Sequence, residues 1–332
     1  MVPKVISQRK IIALLIIALI LGLGIGSFVI YSNYFTSENT VKIGYLRGDL
    51  HQLAFFVASE KEWYTEEGID VSSSFYSNGV EEMDAFTSGS IDIGYLGIAP
   101  ALLKRINAQT NIKIVAAVNY EGSAIIVSAN SAISSVSDLE GNAVAIPGYG
   151  TVQNILLNMA LEQSGIAMNE VNMTQIGPWN MQVTLERGDI DAFIAWEPYP
   201  AKATVEGNGK YLVKSSEIWK NHPCCVLAVR EDFLRDHRDI VEKVVKIHVN
   251  ATNWIKANPN EAASIGAQWT GVDQKIVALA MKNIKYNYYP DKKSMTKYLE
   301  KLIQYGYVDT TQVEDVDLFM DSFIDTSLIE QL

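Results

Sequence analysis

Thr87-Ser-Gly-Ser-Ile-Asp-Ile-Gly-Tyr-Leu-Gly97 and Glu186-Arg-Gly-Asp-Ile-Asp-Ala-Phe-Ile-Ala-Trp196 are two copies of one pattern in a single chain. Gly89 aligns with Gly188, Ile91 with Ile190 and Asp92 with Asp191. In each copy an amphipathic stretch ends at a glycine and an apolar run follows. Glycine closes helices because it enters the left-handed region without steric cost, and a short apolar run suits a strand covered on both faces. The same unit twice, each time inside an α/β alternation, predicts two similar lobes. A cleft between lobes is where small ligands bind.

Working outward, strands are expected at Val41–Leu46, Ile69–Ser77, Ile91–Leu96, Lys113–Val118 and Ala124–Ser128. A second set is expected at Ala143–Ile146, Val171–Ile176, Ile190–Trp196, Tyr211–Val213 and Cys225–Val229. Helices are expected over His51–Glu67, over Val80–Ser88, from Pro100, and after Thr151, where Val152, Ile155, Leu156 and Met159 share one face. Beyond Glu231 the pattern is mostly helical, with Ile240–Lys256 and a segment from Pro259, and Val313–Leu332 reads as an acidic amphipathic tail.

The length of 332 residues accommodates two domains. Ile11–Tyr31 is an uncharged run of 21 residues preceded by Lys4, Arg9 and Lys10. It exceeds the apolar core of a cleaved signal peptide and matches a bilayer span, so residues 1–31 read as a retained signal anchor and 32–40 as a polar tether. The basic flank places the remainder outside the cytoplasm. If the segment is cleaved, the chain is secreted. The net charge of −11 speaks against a nucleic-acid surface. With two cysteines in all, Cys224 and Cys225, there is no disulfide framework.

The candidate ligand turns lie at strand ends. Gly148-Tyr149-Gly150-Thr151 opens a helix, where unpaired N–H groups favour anions. Arg47-Gly48-Asp49-Leu50-His51 is a second such turn, with Arg47 able to pair with an anion, His51 able to donate to it and Asp49 suited to capping. Trp196-Glu197-Pro198 follows the second-copy strand, and its first-copy counterpart is Tyr95-Leu96-Gly97. His222-Pro-Cys-Cys225 invites a metal reading, but a structural zinc site takes four ligands and adjacent residues on a strand point to opposite faces. Burial of at least one thiol, without a metal, is the expectation. His237 and His248 read as surface residues. No H-E-x-x-H, G-x-S-x-G, P-loop or C-x-x-C motif is present.

The chain resembles the solute-binding proteins of ABC importers in the nitrate/sulfonate/taurine family. The resemblance rests on Ile43-Gly44-Tyr45, Glu67-Gly68-Ile69-Asp70-Val71 and Gly89-x-Ile-Asp92-Ile93-Gly94 with Pro100. It continues through Ser137-Asp138-Leu139-x-Gly141, Gly188-x-Ile-Asp191-Ala192, Trp196-Glu197-Pro198 and Asn258-Pro259-x-Glu261-Ala262-Ala263. It implies a type II periplasmic-binding-protein fold with two α/β lobes, a cleft and two hinge crossings. Residues 41–122 and 226–332 would form the first lobe and 123–225 the second, after an N-terminal transmembrane helix.

The resemblance also implies a monomeric receptor without catalysis or cofactor. It would close on a small anionic or zwitterionic solute and deliver it to a permease whose ATPase is a separate chain. Carried over by position, the ligand-facing residues are Arg47, Asp49, His51, Tyr95, Leu96, Gly97, Gly148, Tyr149, Gly150, Thr151, Trp196 and Glu197, with Asn119, Ser123 and His222 also lining the cleft. A second binding reading is a heteroaromatic such as a thiamine pyrimidine precursor, and Arg47 facing the cleft would speak against it. An enzyme like the thiamine pyrimidine synthases is a remote third.

Overall fold

A computed structural model describes residues 40–332. The expected anchor and tether at 1–39 lie outside the described residues. Among the described residues no helix is long and apolar enough to cross a membrane.

The strands in chain order are β1 Thr40–Leu46, β2 Asp70–Tyr76, β3 Ile93–Gly97, β4 Ile112–Ala117, β5 Asn119–Glu121, β6 Ser123–Ser128, β7 Ala143–Ile146, β8 Asn172–Gln175, β9 Ala192–Trp196, β10 Gly209–Lys214, β11 Cys225–Arg230 and β12 Ile284–Tyr286. The helices of eight or more residues are α1 Leu53–Glu60, α2 Gly79–Thr87, α3 Ile98–Asn107, α4 Val152–Gln163, α5 Pro178–Glu186, α6 Arg238–Ala257, α7 Pro259–Thr270, α8 Lys292–Gln304 and α9 Val316–Phe323.

Two five-stranded sheets carry the same plan. The first runs β2-β1-β3-β11-β4 and the second β8-β7-β9-β6-β10. In the first, β1 pairs in parallel with β2 and β3, and β11 runs antiparallel between β3 and β4. In the second, β7 pairs in parallel with β8 and β9, and β6 runs antiparallel between β9 and β10. The duplicated sequence pattern is the central strand of each sheet. Its glycines sit where foreseen, with φ +70° at Gly89 and +73° at Gly188.

The paired aspartates have matched duties. Asp92 accepts from the Lys42 amide at 3.0 Å and Asp191 from the Ala143 amide at 2.8 Å. The same residues donate their own amides to the Lys42 and Ala143 carbonyls. Each aspartate thus fastens the start of the neighbouring parallel strand by two bonds. The repeat is conformational: a left-handed glycine, then a carboxylate that sets register.

The first sheet draws on the chain before and after the second, so the second sheet is an insertion. A two-stranded ribbon, β5 with β12, lies beside the crossing at Gly122. The helical end of the chain covers the first sheet. Ile240, Val241, Val244, Val245 and Ala251 of α6 are buried, at the spacing one helix face requires, and α6 packs on α1. Each of the isoleucine and valine side chains contributes roughly 1.5–3 kcal/mol on burial. His248 of α6 corrects the expectation of a surface histidine. It is fully buried, its Nε2 donates to the Ala117 carbonyl at 2.8 Å, and burial pushes its pKa down to about 4. It lies on the same helix face as Val244 and Val245, which the charged neighbours in sequence obscured. The acidic tail forms α9, and Ile324 bridges Ile114.

Candidate functional site

The carboxyl ends of the parallel strands β1, β3 and β9 point into the space between the sheets, as ligand-binding edges of α/β sheets do. A cavity of about 10 Å³ remains there, room for roughly one water. The lobes are closed on each other in this structure, and a solute of several atoms requires them to part.

On the first-lobe side the turn after β1 supplies Asp49 and His51, both fully buried. Asp49 caps the short turn by accepting the His51 amide at 2.9 Å. The His51 Nε2 lies 2.8 Å from the Gly122 carbonyl. A carbonyl only accepts, so Nε2 carries the proton and Nδ1 faces inward. There Nδ1 meets Cys224 Sγ at 3.5 Å, Cys225 Sγ at 3.7 Å and Asp49 Oδ1 at 3.4 Å. A side chain at Gly122 is impossible, because a Cβ there would fall 2.3 Å from His51 Nε2 and φ is +94°.

Charge at this corner is tightly linked. Burial pushes Asp49 up to about 7. Burial opposes a charged His51, but Asp49 and Cys224 together raise it to about 10. Cys224 is held well below the thiol range, against burial, by a hydrogen bond from Cys225 and by His51, while burial drives Cys225 well above it. Both thiols are buried, as expected of at least one. They do not diverge, which corrects the strand-alternation argument: Cys224 precedes β11 and only Cys225 belongs to it.

On the second-lobe side Gly150 takes φ +77° and starts the turn into α4. Thr151 Oγ1 donates to the Gly148 carbonyl at 2.7 Å and accepts the Asn154 amide at 3.3 Å. The amides of Val152 and Gln153 are left as the orphan donors of a helix start, and both residues line the cavity. Two further helix starts reach it from the first lobe. Gly79 opens α2, capped by Asn78, and Gly97 precedes α3, whose Pro100 lies on the wall. Trp196, 1% exposed, completes the lining, and its Nε1 has no partner among the described residues.

Asp49, His51, Gly97, Thr151 and Trp196 therefore share one cavity, and the other expected residues take different places. Tyr95 and Leu96 are core side chains of the first lobe, Tyr95 packing on Phe55 and His248. Tyr149 is 53% exposed, with its hydroxyl on the Met173 carbonyl. Gly148 and Gly150 shape the turn. Asn119 accepts the Cys225 amide through Oδ1 at 3.1 Å, and Ser123 accepts from Gln153 Nε2 at 3.0 Å. Glu197 is buried, pushed up to about 7 by burial, and held by the Ala201 amide, Asn283 and the Tyr211 hydroxyl. His222 is buried one layer back with Nδ1 3.2 Å from the Tyr298 hydroxyl, and burial lowers its pKa. Arg47 is exposed at the mouth, where its guanidinium lies over Phe75 of one lobe and Trp179 of the other at 5.6 and 5.1 Å. Its charge stands outside the inner cavity.

Sequence reasoning missed Gly79, Pro100, Val152 and Gln153. The signal available was helix capping, Asn78 before Gly79 and Thr151 before Val152, which marks amide ends rather than side chains. It also missed a link across the cleft. Glu162, at the end of α4, accepts from the Tyr305 hydroxyl at 2.6 Å, Gln304 Nε2 at 2.6 Å and Lys301 Nζ at 2.9 Å. Those partners sit in and just after α8, which packs on α3 of the first lobe.

Known proteins bear on this arrangement. The NMT1-like family model matches residues 36–271. A binding protein of Brucella abortus is 27% identical over 250 residues, covering 74% of this chain and 76% of that one. The taurine-binding periplasmic protein of Escherichia coli is 28% identical over 255 residues, covering 74% and 78%. Among solved structures, the periplasmic nitrate-binding protein NrtA of Synechocystis superposes with a TM-score of 0.78 at 19% identity, covering 89% of this chain and 88% of that one, which shows the shared fold. The chain belongs to the NMT1-like family.

Proposed function

Proceeding from that membership, we propose that the chain is the extracytoplasmic receptor of an ABC importer. It captures a small anionic or zwitterionic solute of the aliphatic sulfonate, taurine or nitrate class between its lobes and presents it to a membrane permease served by a separate ATPase. The carrying observation is the convergence of three helix starts, those of α2, α3 and α4, on one interlobe cavity. Each presents the positive end of its dipole, and α4 adds the Val152 and Gln153 amides, whereas at α2 the Val80 and Glu81 amides are taken by Asn78 and at α3 the Ile98 amide by the Cys224 carbonyl. Asp49, the acid at the cavity, opposes this field only in part, because burial raises its pKa to about 7. The name of the Escherichia coli relative supports the same class.

Residues 41–122 with 226–332, and 123–225, act as the two closing lobes, hinged near Gly122 and Pro223. Residues 11–31 tether a monomeric receptor to the membrane beside its permease. Thermal unfolding of the full chain in detergent, stripped of co-purifying solute by dialysis, tests the reading against taurine, alkanesulfonates, nitrate and uncharged controls. A solute at a hundred times its dissociation constant adds about 2.7 kcal/mol. A shift with one of the anions or zwitterions is expected. A shift with uncharged compounds alone, or with none, refutes it.

A further inference from the structure

We propose that His51, Cys224 and Cys225 form a zinc site at the floor of the cleft, with one coordination position left open toward the second lobe. Three side chains that zinc favours, one imidazole and two thiols, bring their ligand atoms within 4.8 Å of one another, all buried. Two tetrahedral edges are already in place. Bond lengths to zinc of roughly 2.3 Å for sulfur and 2.05 Å for nitrogen set a nitrogen-to-sulfur edge of roughly 3.5 Å. The observed Nδ1 to Sγ distances are 3.5 Å for Cys224 and 3.7 Å for Cys225.

A second observation is independent of those distances. His51 Nε2–H is spent on the Gly122 carbonyl, which leaves Nδ1 as the nitrogen that faces the sulfurs. Metal-bound histidines are oriented in this way, by a carbonyl or carboxylate on the far nitrogen. Gly122, where no Cβ fits, keeps that carbonyl in reach. Asn119 fixes the thiol pair from the other side, through the Cys225 amide on Oδ1 and the Cys224 amide on its own carbonyl.

Charge balance favours occupancy. Two thiolates cancel the two charges of the ion, so the buried complex is neutral, and two protons leave the His51–Cys224–Cys225 cluster to solvent on binding. Cys225 opens β11 of the first sheet, Cys224 directly precedes it beside the hinge crossing, and His51 follows β1 of the same sheet, so the site is assembled before the lobes close. The fourth position faces the cavity, where Thr151, Gln153 and Trp196 approach. A water, or an anionic donor atom of a solute, would fill it.

The test uses the full chain in detergent, reduced and freed of metal by chelation, with both thiols confirmed by intact mass. Zinc stoichiometry is read by equilibrium dialysis and metal analysis, and cobalt(II) serves as the spectroscopic probe. The expected result is one zinc per chain, with a tetrahedral cobalt spectrum carrying thiolate-to-metal charge transfer. Cys224→Ser, Cys225→Ser and His51→Gln should each weaken zinc binding more than tenfold while near-ultraviolet circular dichroism stays native. A reduced, folded chain that takes up no zinc, or a cobalt spectrum without the charge-transfer band, overturns the proposal. That spectrum is read on the unaltered chain, so a variant that fails to fold does not leave the question open. Taurine and nitrate binding, measured on the same metal-free and zinc-loaded samples, is a separate result, and the failure of either idea leaves the other standing.

Discussion

Replacing Glu162 by alanine removes the link that joins the far end of α4 to α8 across the cleft. Three donors converge on this carboxylate at 2.6 to 2.9 Å, and its side chain is 42% exposed. An exposed ion pair such as that with Lys301 is worth roughly 0.2–1 kcal/mol. Hydrogen bonds to a charged group bring roughly 1.5–3 kcal/mol each when fully shielded, and half-exposure cuts both of these severalfold. The sum is on the order of 2 kcal/mol in favour of closure, about a thirtyfold change in the closed-to-open ratio. With a ligand-free chain that is mostly open and a solute-bound state that keeps this link, binding loses affinity by the same factor. Titration calorimetry with the best solute from the screen reads that loss, and small-angle scattering of the ligand-free chain reads the greater opening. An affinity within twofold of the unaltered chain, with unchanged scattering, would refute the reasoning. The link also has a pH signature. The Tyr305 hydroxyl, then Lys301 and Gln304, hold Glu162 down at about 2 against an ordinary 4.5. Its contribution is complete above pH 4.5 and is lost as pH falls through about 2.

Further outcomes are expected. Trp196→Ala should weaken solute binding, and because the indole is buried at the end of β9 it should also lower unfolding stability by roughly 3 kcal/mol; denaturant unfolding that shows no loss would place the indole outside the packed interior. Gly97→Ala should prop the lobes apart, since its Cβ would stand 2.8 Å from Val152 Cγ2 in the facing lobe; a ligand-free scattering curve identical to that of the unaltered chain would count against this. Burial raises Glu197 from 4.5 to about 7, so the folded chain binds the extra proton and stability should decline as pH rises from 4.5 through 7. Glu197→Gln should flatten that slope in thermal melts recorded across the range, and a slope unaltered in the variant would assign the dependence to other groups.

The order of strands and helices was legible because local signals carried it. Gly89 and Gly188 ended helices, Ala143–Ile146 formed the expected strand and Thr151 capped the expected helix. The cavity was legible only as turns at strand ends, which is how Asp49, His51, Gly97, Thr151 and Trp196 were found together. Amide donors have no sequence letter, so Gly79 and Gln153 escaped. Cys224 and Cys225 were misjudged because alternation holds only inside a strand, and the strand begins between them. Tyr95 was placed at the cleft by its loop, yet its side chain faces the core, since one residue of register decides which way a strand residue points. Glu162 meets α8 through tertiary packing that no local pattern announces.

Inserting one sheet within the other also sets an order of events in time. Every strand from β6 to β10 has left the translation machinery before β11 begins, so the second sheet can be complete while the first still has a gap. Until Cys225–Arg230 arrives, β3 and β4 have no partner between them, because β11 alone joins them. Two unsatisfied strand edges are then open to unwanted pairing, and one late strand seals both. The nascent first lobe is therefore the aggregation-prone half of the molecule. Slow delivery of β11 or an early stop before it is expected to leave a folded second lobe attached to a sticky, unfinished one.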